Sequence, residues 1–190
     1  MKLIYKGKFN GDPSSLPYNE HKEGAVKFKE CDDPKQLAIL ANIIALLLTF
    51  ICMIIFVLRS SFFDFSILGA LASMLVLFPH EILHAICFKE EVYLYTNLKQ
   101  GMLFVVGPES MTRNRFIFMS LLPNLIFGFI PFLLFLINPN LTFLGTLGAI
   151  SIGSGAGDYY NIYNALTQMP PHALTYLYQF NSYWYIPKEE

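Results

Sequence analysis

Residues 37–58 read LAILANIIALLLTFICMIIFVL, 22 positions with no charged side chain and only Asn42 and Thr49 polar apart from the sulfur-bearing residues. At about 1.5 Å per residue, a helix of this length matches a bilayer core of about 30 Å. Further apolar runs cover residues 65–88, 116–137 and 141–166. A soluble domain of 190 residues seldom needs even one such run, so the sequence predicts a mainly α membrane protein with about four transmembrane helices. The composition agrees: 54% of residues are hydrophobic and 14% charged, against about 25% charged in soluble domains. A formal net charge of −1 argues against broad electrostatic binding of nucleic acid. Apolar richness with little charge excludes a disordered chain.

The charges that remain set the expected topology. Residues 1–36 hold seven Lys, the connection after the second run holds Lys89, Lys99, Arg113 and Arg115, and Lys188 lies in the tail. The alternate connections hold only Arg59. By the positive-inside rule this predicts a multi-pass protein of the cell membrane with both termini cytoplasmic. The expected organisation is a cytoplasmic N-terminal segment, 1–36, and a membrane-embedded domain, 37–190. The first apolar run starts far from Met1 and no small-residue cleavage pattern precedes it, so no removable signal peptide is expected. Cys31, Cys52 and Cys87 suggest no disulfide framework.

Outside the apolar runs, Val26 and Phe28 alternate with Lys27 and Lys29, as in a short strand. Residues 92–95 and 103–106 are rich in β-branched and aromatic side chains and flank Asn97-Leu98-Lys99-Gln100-Gly101, which reads as a small cytoplasmic β-hairpin. The aromatic tail 176–185 reads as an interfacial helix or belt, or as a segment packed on the bundle.

The second run contains Pro79-His80-Glu81-Ile82-Leu83-His84, an H-E-x-x-H pattern. On a helix His80 and His84 stand one turn apart on one face, so both imidazoles can reach one metal ion. Glu81 is rotated away from the pair yet can reach a water at that metal. Zinc chemistry wants such a set: neutral His ligands, an open position and a carboxylate to take a proton. Ionisable groups within a membrane span are costly, and that cost favours a metal site over polar residues that merely snorkel to the interface. Pro79 should kink the helix just before the ligands.

Two histidines leave the site incomplete. No further His follows His84 closely, which excludes the metzincin pattern, and the four His of the chain are too few for di-iron chemistry. His21 and His172 receive no functional role. A carboxylate must complete the set. Asp158 is the only acidic residue between Ser110 and Pro187, and its depth along the fourth run matches that of His80 and His84 along the second. Glu109, in a polar connection, is the rival. Gly153, Gly155 and Gly157 before Asp158 allow close helix approach or a local break.

These residues predict one zinc ion bound by His80, His84 and Asp158, with Glu81 as general base in hydrolysing peptide bonds near the cytoplasmic face. Asn161 and Asn124 are candidates for holding Asp158 or substrate, or for interhelical hydrogen bonds. Residues 103–106 could take an unwound substrate as an added strand. The expected partners are the lipid bilayer and a membrane-protein or peptide substrate, with no nucleic acid. The alternatives are a non-catalytic metal-binding membrane scaffold and, ranking third, a divalent-metal transporter.

The pattern resembles site-2 protease type intramembrane metalloproteases, which place H-E-x-x-H on one transmembrane helix and an Asp on a later one. It is most similar to a bacterial membrane family described as putative zincin peptidases, through the HEILHAI string, Leu121-Leu122-Pro123, and Gly157-Asp158 with Asn161. That resemblance implies metal binding by His80, His84 and Asp158 and a catalytic base at Glu81. The chain lacks the Asn-Pro-x-Pro-x-x-Asp-Gly run of the better-studied site-2 proteases.

Overall fold

The structure is a computed structural model and describes residues 1–31, 33–97, 102–178 and 181–188. Among these residues, three helices are long and apolar enough to cross a membrane: Lys35–Arg59, Ile67–Ala85 and Arg113–Ile137. The chain divides into two compact units. One holds Met1–Asp32, Glu81–Met119 and Asn161–Glu190; the other holds Asp33–His80 and Ser120–Tyr160.

The second of these is a helical bundle. Helix α1 (Pro34–Arg59) starts at Asp33, whose side chain accepts from the Lys35 amide and satisfies one of the open donors of the first turn. Helix α2 (Ile67–Leu75) stops and α3 (Leu77–Ala85) restarts one residue later. The cause is Pro79: its ring collides with the carbonyl four residues back, that of Leu75, and it offers no N–H to bond there. The expected kink is thus a break at Val76. Helix α4 (Arg113–Asn124) runs through a π turn, Leu125–Phe129, into α5 (Ile130–Ile137).

The fourth apolar run, 141–166, takes the local break that its glycines allow. It forms α6 (Thr142–Ser154) and α7 (Ala156–Gln168), interrupted at Gly155. Helix α6 is buried along most of its length. A Cβ at Gly148 would lie 2.6 Å from the Phe132 amide nitrogen and 2.8 Å from the Gly128 carbonyl oxygen, so only glycine allows this backbone approach. Phe56 and Phe135 stack at 4.6 Å in the bundle core, with Cys52, Phe132, Ala149 and Ile152 around them. Outward, Leu46, Phe50 and Leu58 of α1 and Leu68 and Leu75 of α2 are exposed. An apolar surface of this extent suits lipid contact.

The other unit is built on two small sheets. Strands β1 (Lys2–Lys8), β3 (Glu91–Asn97) and β4 (Met102–Val106) form one, in the order β1-β3-β4. β1 runs parallel to β3, and β3 pairs antiparallel with β4, as the hairpin expectation required. The expected turn falls on residues 98–101, outside the described residues. Strands β2 (Val26–Lys27), β5 (Met111–Thr112), β6 (Leu174–Tyr178) and β7 (Asn181–Tyr185) form the second sheet, in the order β2-β7-β6-β5.

The aromatic tail is therefore a pair of strands and not an interfacial helix. Its tyrosines alternate with period two, and Tyr176 pairs across the strands with Tyr183. Aromatic cross-strand pairs of this kind favour a sheet. Ala85, Phe88, Val92 and Met111 form a core cluster with Phe116 and Met119 against it, so the end of α3 and the first turns of α4 are anchored in this unit.

Candidate metal centre

Helix α3 carries the decisive side chains. The His80 amide bonds to the Val76 carbonyl at 2.8 Å, continuing the helix through the motif. One ligand atom each from His80, Glu81 and His84 lies within 4.8 Å of the others. His84 is buried, and its Nδ1 lies 3.0 Å from the Met119 carbonyl oxygen. A carbonyl can only accept, so Nδ1 carries the proton and Nε2 keeps a lone pair. Histidine ligands of metals are usually oriented in this way.

Asp158 comes from the first turn of α7, where a carboxylate is favoured by the helix dipole. Its Oδ2 lies 3.2 Å from His80 Nε2. Two ligands bonded to one tetrahedral zinc at about 2.0–2.1 Å would stand about 3.3 Å apart, so the His80–Asp158 spacing suits a pair of ligands, while the group whose ligand atoms all lie within 4.8 Å of one another is His80, Glu81 and His84. Asn124 holds the carboxylate: its Nδ2 donates to Asp158 Oδ2 at 2.7 Å and to the Ser120 carbonyl at 3.0 Å. The Asn124 side chain is buried and fits only because residue 155 is glycine. A Cβ there would fall 1.7 Å from Asn124 Oδ1. A cavity of about 10 Å³, lined by His80, Asn124 and Ser151 among others, has room for one water.

Glu81 accepts a hydrogen bond at 3.1 Å from the Val105 amide of β4 through Oε2. Glu109, the rival ligand, is committed elsewhere. Its carboxylate pairs with Arg115 and accepts from the Lys89 and Glu90 amides at 2.7 and 3.2 Å. Burial pushes its carboxyl up, but Arg115 and the two amides outweigh that and hold it below the ordinary carboxylate value. Arg115 Nε also donates to the Cys87 carbonyl at 2.8 Å, tying down the chain just past His84. Asn161 lies one turn further along α7.

Of the candidates drawn from sequence, His80, Glu81 and His84 come together on α3, and Asp158 and Asn124 meet at His80. The Met119 carbonyl and the Val105 amide could not be found from sequence, since main-chain groups leave no trace in residue identity.

A helix whose two histidines and glutamate could hold a metal ion, in a chain with long apolar helices, suits a metallopeptidase-like class. The sequence model of the family described as "Putative zincin peptidase" matches residues 73–174, more than half of the chain, and the protein belongs to that family. No curated protein and no solved structure matches it.

Proposed function

We propose that the protein is a membrane-embedded zinc metallopeptidase of the site-2 protease type, cutting peptide bonds near the cytoplasmic face. The observation that carries this reading is the 3.2 Å approach of Asp158 Oδ2 to His80 Nε2, which brings to the His-Glu-His helix the carboxylate it lacks. In this reading His80, His84 and Asp158 would hold one zinc ion. When bound, zinc supplies a Lewis acid that makes water a nucleophile near neutral pH and polarises the scissile carbonyl.

The chain's own groups do the rest. Glu81 takes a proton from the attacking water on its carboxylate as the new C–O bond forms. It returns that proton to the amide nitrogen as the C–N bond breaks, releasing a carboxylate and an amine. Asn124 keeps Asp158 aimed at His80, and the Met119 carbonyl keeps the His84 proton on Nδ1.

Chain parity supports four crossings with both termini on one face. Strand β2, before α1, pairs with β7, after α7, and β1 pairs with β3. Segments that share a sheet lie on one side of a membrane, so an even number of crossings separates them. The α6–α7 run then supplies the fourth. The basic residues put this side in the cytoplasm.

The test is the Glu81→Gln variant, with membrane-protein fragments compared between variant and parent cells. Loss of specific fragments with zinc retained is expected. Fragments produced equally by both would remove the peptidase reading and leave the metal-binding scaffold.

A further inference from the structure

We infer that the main-chain N–H of Val105 is the positioning donor for the Glu81 carboxylate, so that β4 enters the reaction through its backbone rather than its side chains. The inference rests on the reading of Glu81 as the base.

The strand register shows that this N–H does not belong to the sheet. On the β1 side of β3, Glu90 O accepts from Lys2 and Thr96 O accepts from Phe9. Even-numbered residues around β3 therefore turn their peptide groups toward β1, and the odd-numbered ones turn theirs toward β4. Val105 is opposite Leu94 and Leu103 is opposite Thr96. Both consequently point their own N–H and C=O away from β3, at the free edge of the sheet. The Val105 N–H meets Glu81 Oε2 at 3.1 Å.

Position 81 needs such a donor. Helix geometry rotates it about 100° from His80, and a glutamate has several rotatable bonds, so the helix alone does not aim the carboxylate. The group it must serve is close, because one Glu81 oxygen lies within 4.8 Å of the ligand atoms of His80 and His84. A backbone amide is a rigid donor, held here by the β3–β4 ladder and by Val105 packing against the cluster of Ala85, Phe88 and Val92. It orients the acceptor without adding a proton that competes with the one in transfer. The contact also uses a donor that an added substrate strand on this edge would otherwise find.

Two measurements on the full-length chain test this. In hydrogen exchange at single-residue resolution, an edge amide facing away from its sheet ordinarily exchanges quickly. Val105 should instead be protected, and Glu81→Ala should speed its exchange about tenfold or more while Phe104 and Val106 keep their protection. Fast exchange in the parent, or no change in Glu81→Ala, overturns the contact.

The second replaces the 104–105 amide by an ester, which removes the N–H and keeps the valine side chain. Val105→Pro is the genetic equivalent, tolerated because this N–H lies outside the ladder. Both should cut production of the Glu81-dependent membrane-protein fragments about tenfold or more with zinc content unchanged, and the ester, which keeps the valine packing, should lose more than Val105→Ala, which keeps the N–H. An ester variant as active as the parent overturns the positioning role alone. Fragments that persist in Glu81→Gln overturn the reading of Glu81 as base instead.

Discussion

His80 Nε2 and Asp158 Oδ2 stand 3.2 Å apart, although one belongs to α3 and the other to α7, and Asn124 from α4 bonds the same carboxylate oxygen at 2.7 Å. Three helices thus converge on one acceptor atom. Several consequences of this arrangement can be measured.

Removing a ligand should empty the site. His80→Ala, His84→Ala and Asp158→Ala are each expected to lower bound zinc in the purified protein by at least about tenfold, because three protein ligands leave no spare donor. Elemental analysis provides the check, and zinc content equal to the parent in Asp158→Ala would remove it from the ligand set.

Asn124→Ala should weaken zinc binding by about tenfold to a hundredfold, the usual effect of losing a group that orients a ligand. Competition with a chelating dye measures it. Gly155→Ala should act through the same side chain, since its Cβ would sit 1.7 Å from Asn124 Oδ1. Overpacking of this kind costs about 1–3 kcal/mol, visible as a lower unfolding temperature in detergent. A Gly155→Ala protein of parental stability and zinc affinity would contradict the packing described.

The Arg115–Glu109 pair should support the fold in a pH-dependent way. The Glu109 carboxyl is held below its ordinary value of 4.5. Its contribution is therefore complete above that value and is lost as pH falls through the lower folded-state value. The unfolding temperature should drop as pH is lowered below about 5, and Glu109→Gln should flatten that part of the profile. Arg115→Ala leaves the part-buried carboxylate without its cation and should cost about 1–3 kcal/mol, the range for leaving one hydrogen-bonding group without its partner. Arg115→Lys should recover only part of it, because a single ammonium cannot serve both Glu109 and the Cys87 carbonyl.

Reporter fusions at the two ends of the chain should give the same sidedness, and a tag inserted at Asn138–Asn140 the opposite one. Opposite sidedness of the termini would leave three crossings and remove α6–α7 as the fourth.

Much of the site could be read from residue order, for a definite reason. His80, Glu81 and His84 lie within a single helical turn, so their spacing alone predicts which of them face together. The apolar runs were legible because lipid and buried cores exclude charge over whole segments, and the β3–β4 hairpin because its alternation is local. The strand pairing of the tail was not legible although its tyrosines alternate, because aromatic enrichment also marks membrane interfaces. Both readings of the same glycines hold: the helix breaks at Gly155, and the buried Asn124 side chain packs where a Cβ there would stand.

What the sequence determined by itself is whatever depends on neighbours along the chain: the period of the metal-binding motif, the length of the apolar segments, and the scarcity of acids that singled out Asp158. The tertiary structure alone decided which distant groups meet. Pairing of β1 with β3, the Met119 carbonyl on His84 and the Val105 amide on Glu81 join segments far apart in the chain, and Glu109 is committed to Arg115 six residues further on. Three of these four contacts use main-chain groups, which every residue but proline carries alike, so residue identity holds no record of them.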